Sequence, residues 1–550
     1  MITSNFFANY SIRRLLFLSA LSGILLTFSW PARGFPFLIF FAFIPLFIIE
    51  ETVLQNKKHV SSFRFLLLLW LSFIIWNGLT TYWIVFATFT GAILAVFINS
   101  LLMALPLFLV HLFRRKTNTS LNLVSFIVLW LTFEYLHMNW ELSWSWLNLG
   151  NAFARYPHWI QWYEITGALG GTLWILMMNL VFFYIFKLIT GHVFGKRFRK
   201  FIVSAAILIF VIPSSLSFVM YYSYNEQYDP VEIIIVQPNF DSYDRVRSQR
   251  QAVERIDLML GLAEQNITSE TQFVVFPEGA IPQQININSL EDYIAIQKIN
   301  EFLSGHESLY LISGVMLYEF YGDNPDASPT ARQYGTTDEY YDVFNAAVML
   351  DGKGNYQFYS KAVLVPGVER MPYFWLFKPL ESVIRNLGGI PGSMGAWENQ
   401  KAFHTADYTR ITVPVCYESI YGEYINQFIL QNSELILIIT NDGWWRDTPG
   451  YRQHNQYARL RAIETRRSIA RAASTGISSF INQRGDIVEA SSFNEVAVLR
   501  NSINKNQKLT VYTKFGDYLG RSTSFISALM ILYVIVQHFL SKRKNFISTR

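Results

Sequence analysis

The hydrophobic residues of this chain come in blocks. Apolar runs of about 20 residues crowd the first 222 positions, return once near the C-terminus, and are missing from residues 223–521. A run of that length reaches across the hydrocarbon core of a bilayer, and a helix is how one segment satisfies its own backbone there. The two ends of the chain are therefore expected to be membrane helices, and the middle is free to fold in water. Spans are expected at residues 13–30, 35–50, 63–86, 89–112, 121–139, 167–187, 201–222 and 523–541. The second is short, and the fifth is interrupted by Glu134 and His137. Arg13 and Arg14 precede the first run, but no small-residue cleavage site follows, so it reads as a retained helix and not a signal peptide. Glu134 is costly within a span and is for that reason a functional suspect; His137 receives no catalytic role.

Basic residues set the orientation. Lys57, Lys58 and Arg64 lie between the second and third spans, and Arg114, Arg115 and Lys116 follow the fourth. Lys187, Lys196, Arg197, Arg199 and Lys200 follow the sixth, and Lys542, Arg543 and Lys544 follow the last. Eight alternating spans put all of these clusters on one side, and the opposite short loops hold little besides Arg33 and Arg155. The positive-inside rule makes that side, and both termini, cytoplasmic and leaves residues 223–521 outside. The expected organisation is thus helices 1–7 in residues 1–222, a domain at 223–521, and an eighth helix with a cytoplasmic tail at 522–550.

Charged residues make up 15% of the whole chain, against about 25% in soluble domains. A net charge of +5 over 550 residues gives no argument for nucleic acid. A single cysteine excludes an intramolecular disulfide and any multi-cysteine metal site; no His/Cys cluster points to a metal, and no cofactor is expected. Residues 223–521 have ordinary soluble composition. Buried strands are expected at Val231–Gln237, Leu309–Gly314, Ala346–Leu350 and Leu435–Thr440, and a helix over Ser242–Glu264. Gly352 and Gly354 suit a hairpin turn. Strands alternating with helices imply an α/β layered domain. The polar, turn-rich segment 321–340 reads as a mobile loop.

Three short segments end in chemistry. The run Thr412-Val413-Pro414-Val415 leads to Cys416, Gln272-Phe273-Val274-Val275-Phe276-Pro277 leads to Glu278, and Gln357-Phe358-Tyr359-Ser360 leads to Lys361. Each reads as a strand delivering one side chain to a sheet edge. A thiol, a carboxylate and an ammonium supply a nucleophile, a base and a cation, which suffices for acyl transfer. Each has a plainer reading taken singly: a buried small hydrophobe for Cys416, a helix cap for Glu278, a solvated surface charge for Lys361. Together they favour the chemistry. The N–H of Tyr417 follows the nucleophile and suits a second oxyanion donor. Glu369 and Glu418 are expected as carboxylates that keep Lys361 charged and aimed. With Glu278 and Lys361 available, His454 is expected to support structure and not to serve as the base.

The order Glu278–Lys361–Cys416 resembles the nitrilase (carbon–nitrogen hydrolase) superfamily. The likeness continues in Thr440-Asn441-Asp442-Gly443-Trp444-Trp445, in the segment 453–464 and in Arg471-Ala472-Ala473-Ser474-Thr475-Gly476-Ile477. Lys361-Ala-Val-Leu-Val-Pro-Gly-Val-Glu369 is similar to the lysine loop of the apolipoprotein N-acyltransferase family, the membrane-embedded branch of that superfamily. That family usually has Phe-Gly-Glu where this chain has Gly367-Val368-Glu369. The aromatic segment Ser143–Gly150 resembles the loop after the family's fifth span. The resemblance implies a polytopic α-helical membrane domain joined to a four-layer αββα nitrilase-like sandwich. It implies transfer of a fatty acyl chain from a membrane phospholipid, through a thioester on Cys416, to the N-terminal amine of a diacylated apolipoprotein. It places the protein in a bacterial plasma membrane, and a monomer is expected. Trp444, Trp445 and Trp375 are candidates for holding acyl chains. The rival reading is a membrane-tethered amidase with water as acceptor; a degenerate transporter or receptor is disfavoured because all three catalytic positions are intact.

Overall fold

The computed structural model describes the chain except for residues 1–5, 8–9, 117–122, 192–193, 245, 247, 374–392, 398–399 and 549–550. It divides into two compact units. One comprises Met1–Tyr82, Ala92–Tyr222 and Asp517–Arg550; the other comprises Trp83–Gly91 and Ser223–Gly516.

The first unit is helical. Among the described residues six helical segments of the chain are long and apolar enough to cross a bilayer: Pro36–Gln55, Ser62–Thr81, Phe89–Arg115, Ala168–Ile189, Lys196–Ser223 and Tyr518–Gln537. The first and fifth expected spans form shorter helices, 17 residues at Ile12–Phe28 and 15 at Val124–Met138. At 1.5 Å per residue, the shorter one reaches about 22 Å against a hydrocarbon core of about 30 Å. Phe17, Phe63, Ile189, Phe201 and Phe525 are 64–79% exposed on these helices, an apolar surface that suits lipid. Glu134 is buried and fully engaged. Its Oε1 accepts from Trp130 Nε1 (2.9 Å) and the Leu149 N–H (2.8 Å), and its Oε2 accepts from Thr172 Oγ1 (2.6 Å). Thr172 in turn accepts from the Gly150 N–H (3.0 Å), so the costly carboxylate pins the aromatic loop. His137 accepts from Trp140 Nε1 at 2.9 Å.

The second unit is layered. Its first sheet contains β1 (Pro230–Gln237), β2 (Thr271–Val275), β3 (Ile281–Asn286), β4 (Tyr310–Phe320), β5 (Arg332–Gln333), β6 (Tyr340–Asp351) and β7 (Tyr356–Ser360). Its second sheet contains β8 (Phe403–His404), β9 (Arg410–Thr412), β10 (Leu435–Thr440), β11 (Ile469–Ala473), β12 (Ser479–Ile481) and β13 (Ile487–Ala490). A last strand, β14 (Ala497–Asn504), returns to pair antiparallel with β1, giving the order β14-β1-β2-β4-β6-β5 beside β13-β12-β11-β10-β9-β8.

Period-two side-chain alternation builds four layers from these sheets. Ile233 and Ile235 of β1 share a buried cluster with Leu435, Leu437 and Ile439 of β10, so the sheets pack face to face. The alternate residues Ile234 and Val236 meet Ile256 and Met259 of the helix Gln249–Glu264, and Ile296 and Ile299 of the helix Ile294–Ser304. On the other side, Ile436 and Ile438 meet Ile425 and Ile429 of the helix Gly422–Ile429, and Ala458 and Ala462 of the helix Pro449–Thr465. This is the αββα sandwich. Strands buried on both faces read as unbroken apolar runs, which is why β1 and β10 stand out in the sequence.

Three expectations shift. The helix expected from Ser242 begins at Gln249, where Ser248 caps it by accepting from the Gln251 N–H. Segment 321–340, expected as a mobile loop, carries its own pairing: β5 lies against β6, and Ser328 and Tyr321 both bond to buried Asp342. The third expected span ends at Thr81, because Trp83 and Phe86 pack against aromatic and cationic side chains of the sandwich. The β6–β7 hairpin turns at Asp351–Asn355 as expected, with Gly354 at φ 82°, a region open to glycine.

Candidate active site

Cys416 leaves β9 through Val415, which bridges Ile439 of the neighbouring strand. It opens the short helical turn Cys416–Ile420 with φ 53°, left-handed backbone that a non-glycine residue holds at a cost. Such an elbow lifts one side chain off a sheet edge.

Glu278 follows β2. Gly314 on β4 lets its backbone approach: a Cβ there would lie 2.5 Å from Glu278 Cα and 2.4 Å from the Gly279 nitrogen. Glu278 Oε2 accepts from the Asn441 N–H (2.9 Å) and Oε1 from Asn345 Nδ2 (2.8 Å). Lys361 follows β7, with its N–H bound to the Asn345 carbonyl at 2.7 Å. Its side chain is 1% exposed, and Nζ stands 2.8 Å from Glu369 Oε1 and 3.8 Å from Glu278 Oε1. Glu369 is itself fixed by Asn345 Nδ2 (2.9 Å) and the Val365 N–H (2.9 Å).

The charges explain one another. Burial alone would lower the Lys361 ammonium, but Glu369, Glu278 and Cys416 outweigh it and hold its pKa above the ordinary lysine value. Burial, then Glu278, push the Cys416 thiol up, against the pull of Lys361. The resting site therefore holds a fixed cation and a neutral thiol. Such a thiol reacts when a base removes its proton as it attacks.

Glu418 differs from expectation. It does not flank Lys361; its oxygens are taken by the N–H groups of Ala362 (2.7 Å), Val363 (3.1 Å) and Val415 (2.8 Å) and by Tyr359 Oη (2.6 Å). Among the described residues the carboxylates beside Lys361 are Glu369 and Glu278. Glu418 instead ties the lysine loop to the cysteine turn through main-chain donors. Burial raises its pKa despite those bonds.

Tyr417 is buried next to the nucleophile, its hydroxyl accepting from Tyr421 Oη at 2.8 Å. Trp444 is 41% exposed and meets the Tyr243 ring at 5.3 Å. Trp445 sits between Trp83 (4.6 Å) and His454 (5.5 Å). Trp375 lies outside the described residues.

His454, expected to support structure, is buried and part of a set that sequence reasoning did not assemble. Its Nδ1 lies 2.9 Å from Asp442 Oδ1, and Arg471 holds Asp442 Oδ2 at 2.6 Å. Burial would raise Asp442, but Arg471 and His454 reverse this and hold it below the usual carboxylate range. Asn345 was also missed. A polar residue in the apolar strand Val343–Leu350 needs buried partners, and that signal was available without saying which partners.

The model of the apolipoprotein N-acyltransferase N-terminal domain matches residues 22–181, and that of carbon-nitrogen hydrolase matches residues 235–507. An apolipoprotein N-acyltransferase of Chlorobaculum tepidum is 25% identical over 95% of this chain and 96% of its own. One of Thermotoga maritima is 25% identical over 96% of this chain and 94% of its own. The solved structure of a Saccharomyces cerevisiae member of the nitrilase superfamily covers 50% of this chain and 90% of that one, with a TM-score of 0.36 and 13% identity.

Proposed function

This chain is a multi-pass membrane protein of the apolipoprotein N-acyltransferase family, and we propose that Glu278, Lys361 and Cys416 carry out its lipoprotein N-acylation through a thioester. The observation that carries this assignment is that a fixed ammonium and a main-chain-anchored carboxylate stand together beside the one cysteine.

Glu278 takes the thiol proton as Cys416 Sγ attacks the ester carbonyl of a phospholipid. Lys361 Nζ and the Tyr417 N–H hold the oxyanion. The C–O bond breaks, and Glu278 returns the proton to the departing alkoxide, releasing lysophospholipid. The N-terminal amine of a diacylglyceryl-cysteine then attacks the thioester. Glu278 accepts an amine proton, the C–S bond breaks, and the proton returns to sulfur. Exposed Trp444 with Trp445 lines the acyl side of the site. Residues 1–222 and 522–550 form the membrane part of a monomer, and residues 223–521 face away from the cytoplasm of a bacterial plasma membrane, as the basic clusters support.

The test is a burst. With phospholipid alone the enzyme should release about one lysophospholipid per site and stall. A diacylated lipopeptide with a free amine should restart it, and the N-acetylated lipopeptide should not. Sustained release without acceptor means water is the acceptor and overturns the reading.

A further inference from the structure

Behind the nucleophile lies a second buried cluster that the acyl-transfer steps do not use. The Cys416 carbonyl oxygen accepts from Ser419 Oγ at 2.7 Å and lies 3.2 Å from His454 Nε2. Nε2 is also 3.0 Å from Ser419 Oγ, and Nδ1 lies 2.9 Å from Asp442 Oδ1 and 3.0 Å from Arg471 Nη2, which also donates to Asp442 Oδ2. His454, Asp442 and Arg471 have no exposed surface, and Ser419 has 1%. A carbonyl oxygen only accepts, so the imidazole presents a proton from Nε2, and with the ring neutral Nδ1 accepts from Arg471 Nη2.

The geometry has a directional consequence. The Cys416 C=O and the Tyr417 N–H belong to one planar trans peptide and point in opposite directions. Two donors on the oxygen therefore fix where the N–H aims. They also polarise the peptide, which strengthens the N–H as a donor. The clamp is needed because Cys416 sits at φ 53°, a conformation that L residues rarely keep unaided.

We propose that Arg471, His454 and Ser419 form a positioning relay, with Asp442 holding Arg471, that aims and strengthens the Tyr417 N–H for the oxyanion. The relay rests on the reading of Cys416 as the nucleophile. His454 faces the main chain of Cys416, where it acts as a positioning residue while Glu278 remains the base.

Two rates on the purified full-length protein test this. Acyl transfer develops an oxyanion. Alkylation of Cys416 by iodoacetamide forms an S–C bond as iodide leaves and develops none. In His454→Gln and in Ser419→Ala, kcat for transfer should fall about tenfold to a hundredfold, less than the loss of a whole oxyanion donor, with KM nearly unchanged. The alkylation rate and its pH profile should stay within about twofold of wild type, since neither variant touches the base. Ser419→Ala removes one hydroxyl and no charge, and it decides the matter if His454→Gln does not fold. Alkylation falling in step with transfer, or a shifted pH profile, overturns the relay, as does wild-type transfer in a folded variant. Wild-type enzyme that keeps transferring after complete alkylation overturns the nucleophile reading instead.

Discussion

Two groups of buried charge in the sandwich are made from similar parts and differ in how closely their carboxylates are held. Around Asp442 both oxygens are taken, Oδ1 by Thr440 and Oδ2 by Arg471, with no exposure. Around Lys361 one ammonium serves two carboxylates, at 2.8 and 3.8 Å, and the Glu278 side chain keeps 14% of its surface. Each cluster keeps one buried side-chain atom without a hydrogen-bond partner, Asn345 Oδ1 here and Arg471 Nε there. A carboxylate with both oxygens taken and no exposure resists change and holds a shape. A pair with capacity left over binds and moves protons, so the open cluster is where perturbed groups meet chemistry.

Breaking the open cluster should show itself first in activity. Cys416→Ser should lower acyl transfer by about ten-thousandfold or more, because a hydroxyl is a far poorer nucleophile under the same base. Transfer near the wild-type rate in that variant would remove Cys416 from the mechanism. Lys361→Ala should cost about a thousandfold, the scale of a lost oxyanion donor. Lys361→Arg should recover little of it, since a planar fork cannot put its charge where a compact ammonium does. Steady-state rates decide this, and an active arginine variant would reduce Lys361 to a generic positive charge. Asn345→Ala should cost about ten- to a hundredfold in kcat, as Glu278 and Glu369 lose their common donor. Equal loss of activity and melting temperature would make Asn345 a packing residue.

The closed cluster should show itself in stability. Asp442 is held below its unfolded value of about 3.9, so its contribution is complete above about pH 4 and is lost as the pH falls below that. Lys361 has the opposite sign: raised above about 10.4, it contributes fully at neutral pH and loses that only in strong alkali. Thermal melting of the full-length protein should therefore drop on acidification below about pH 4. Asp442→Asn should be less stable at pH 7 by about 3 kcal/mol and should fall less steeply in acid. An unchanged acid slope would show that other carboxylates set it.

The open cluster was legible in sequence for a local reason. Glu278, Lys361 and Cys416 each end an apolar run, and a strand that stops at a polar group points to a sheet edge. The closed cluster was not, because Asp442, His454 and Arg471 sit on different elements, and their meeting is a property of the β10–β11 pairing and the helix laid across it. Glu418 was recognised as important and given the wrong partner. A carboxylate's main-chain donors leave no trace in residue type. Trp83 and Phe86 were read as the end of a span, since an aromatic that faces lipid and one that stacks on Trp445 look alike in composition.

The left-handed backbone at Cys416 makes the active site a place where inactivation should strengthen the protein. Glycine accepts φ near 53° without the Cβ clash that costs other residues about 1–2 kcal/mol. Cys416→Gly should then melt above Cys416→Ala, although both lack the thiol and glycine leaves the larger void. A dead enzyme that outlasts its alanine counterpart on heating would measure directly what the fold gives up to hold its nucleophile in place.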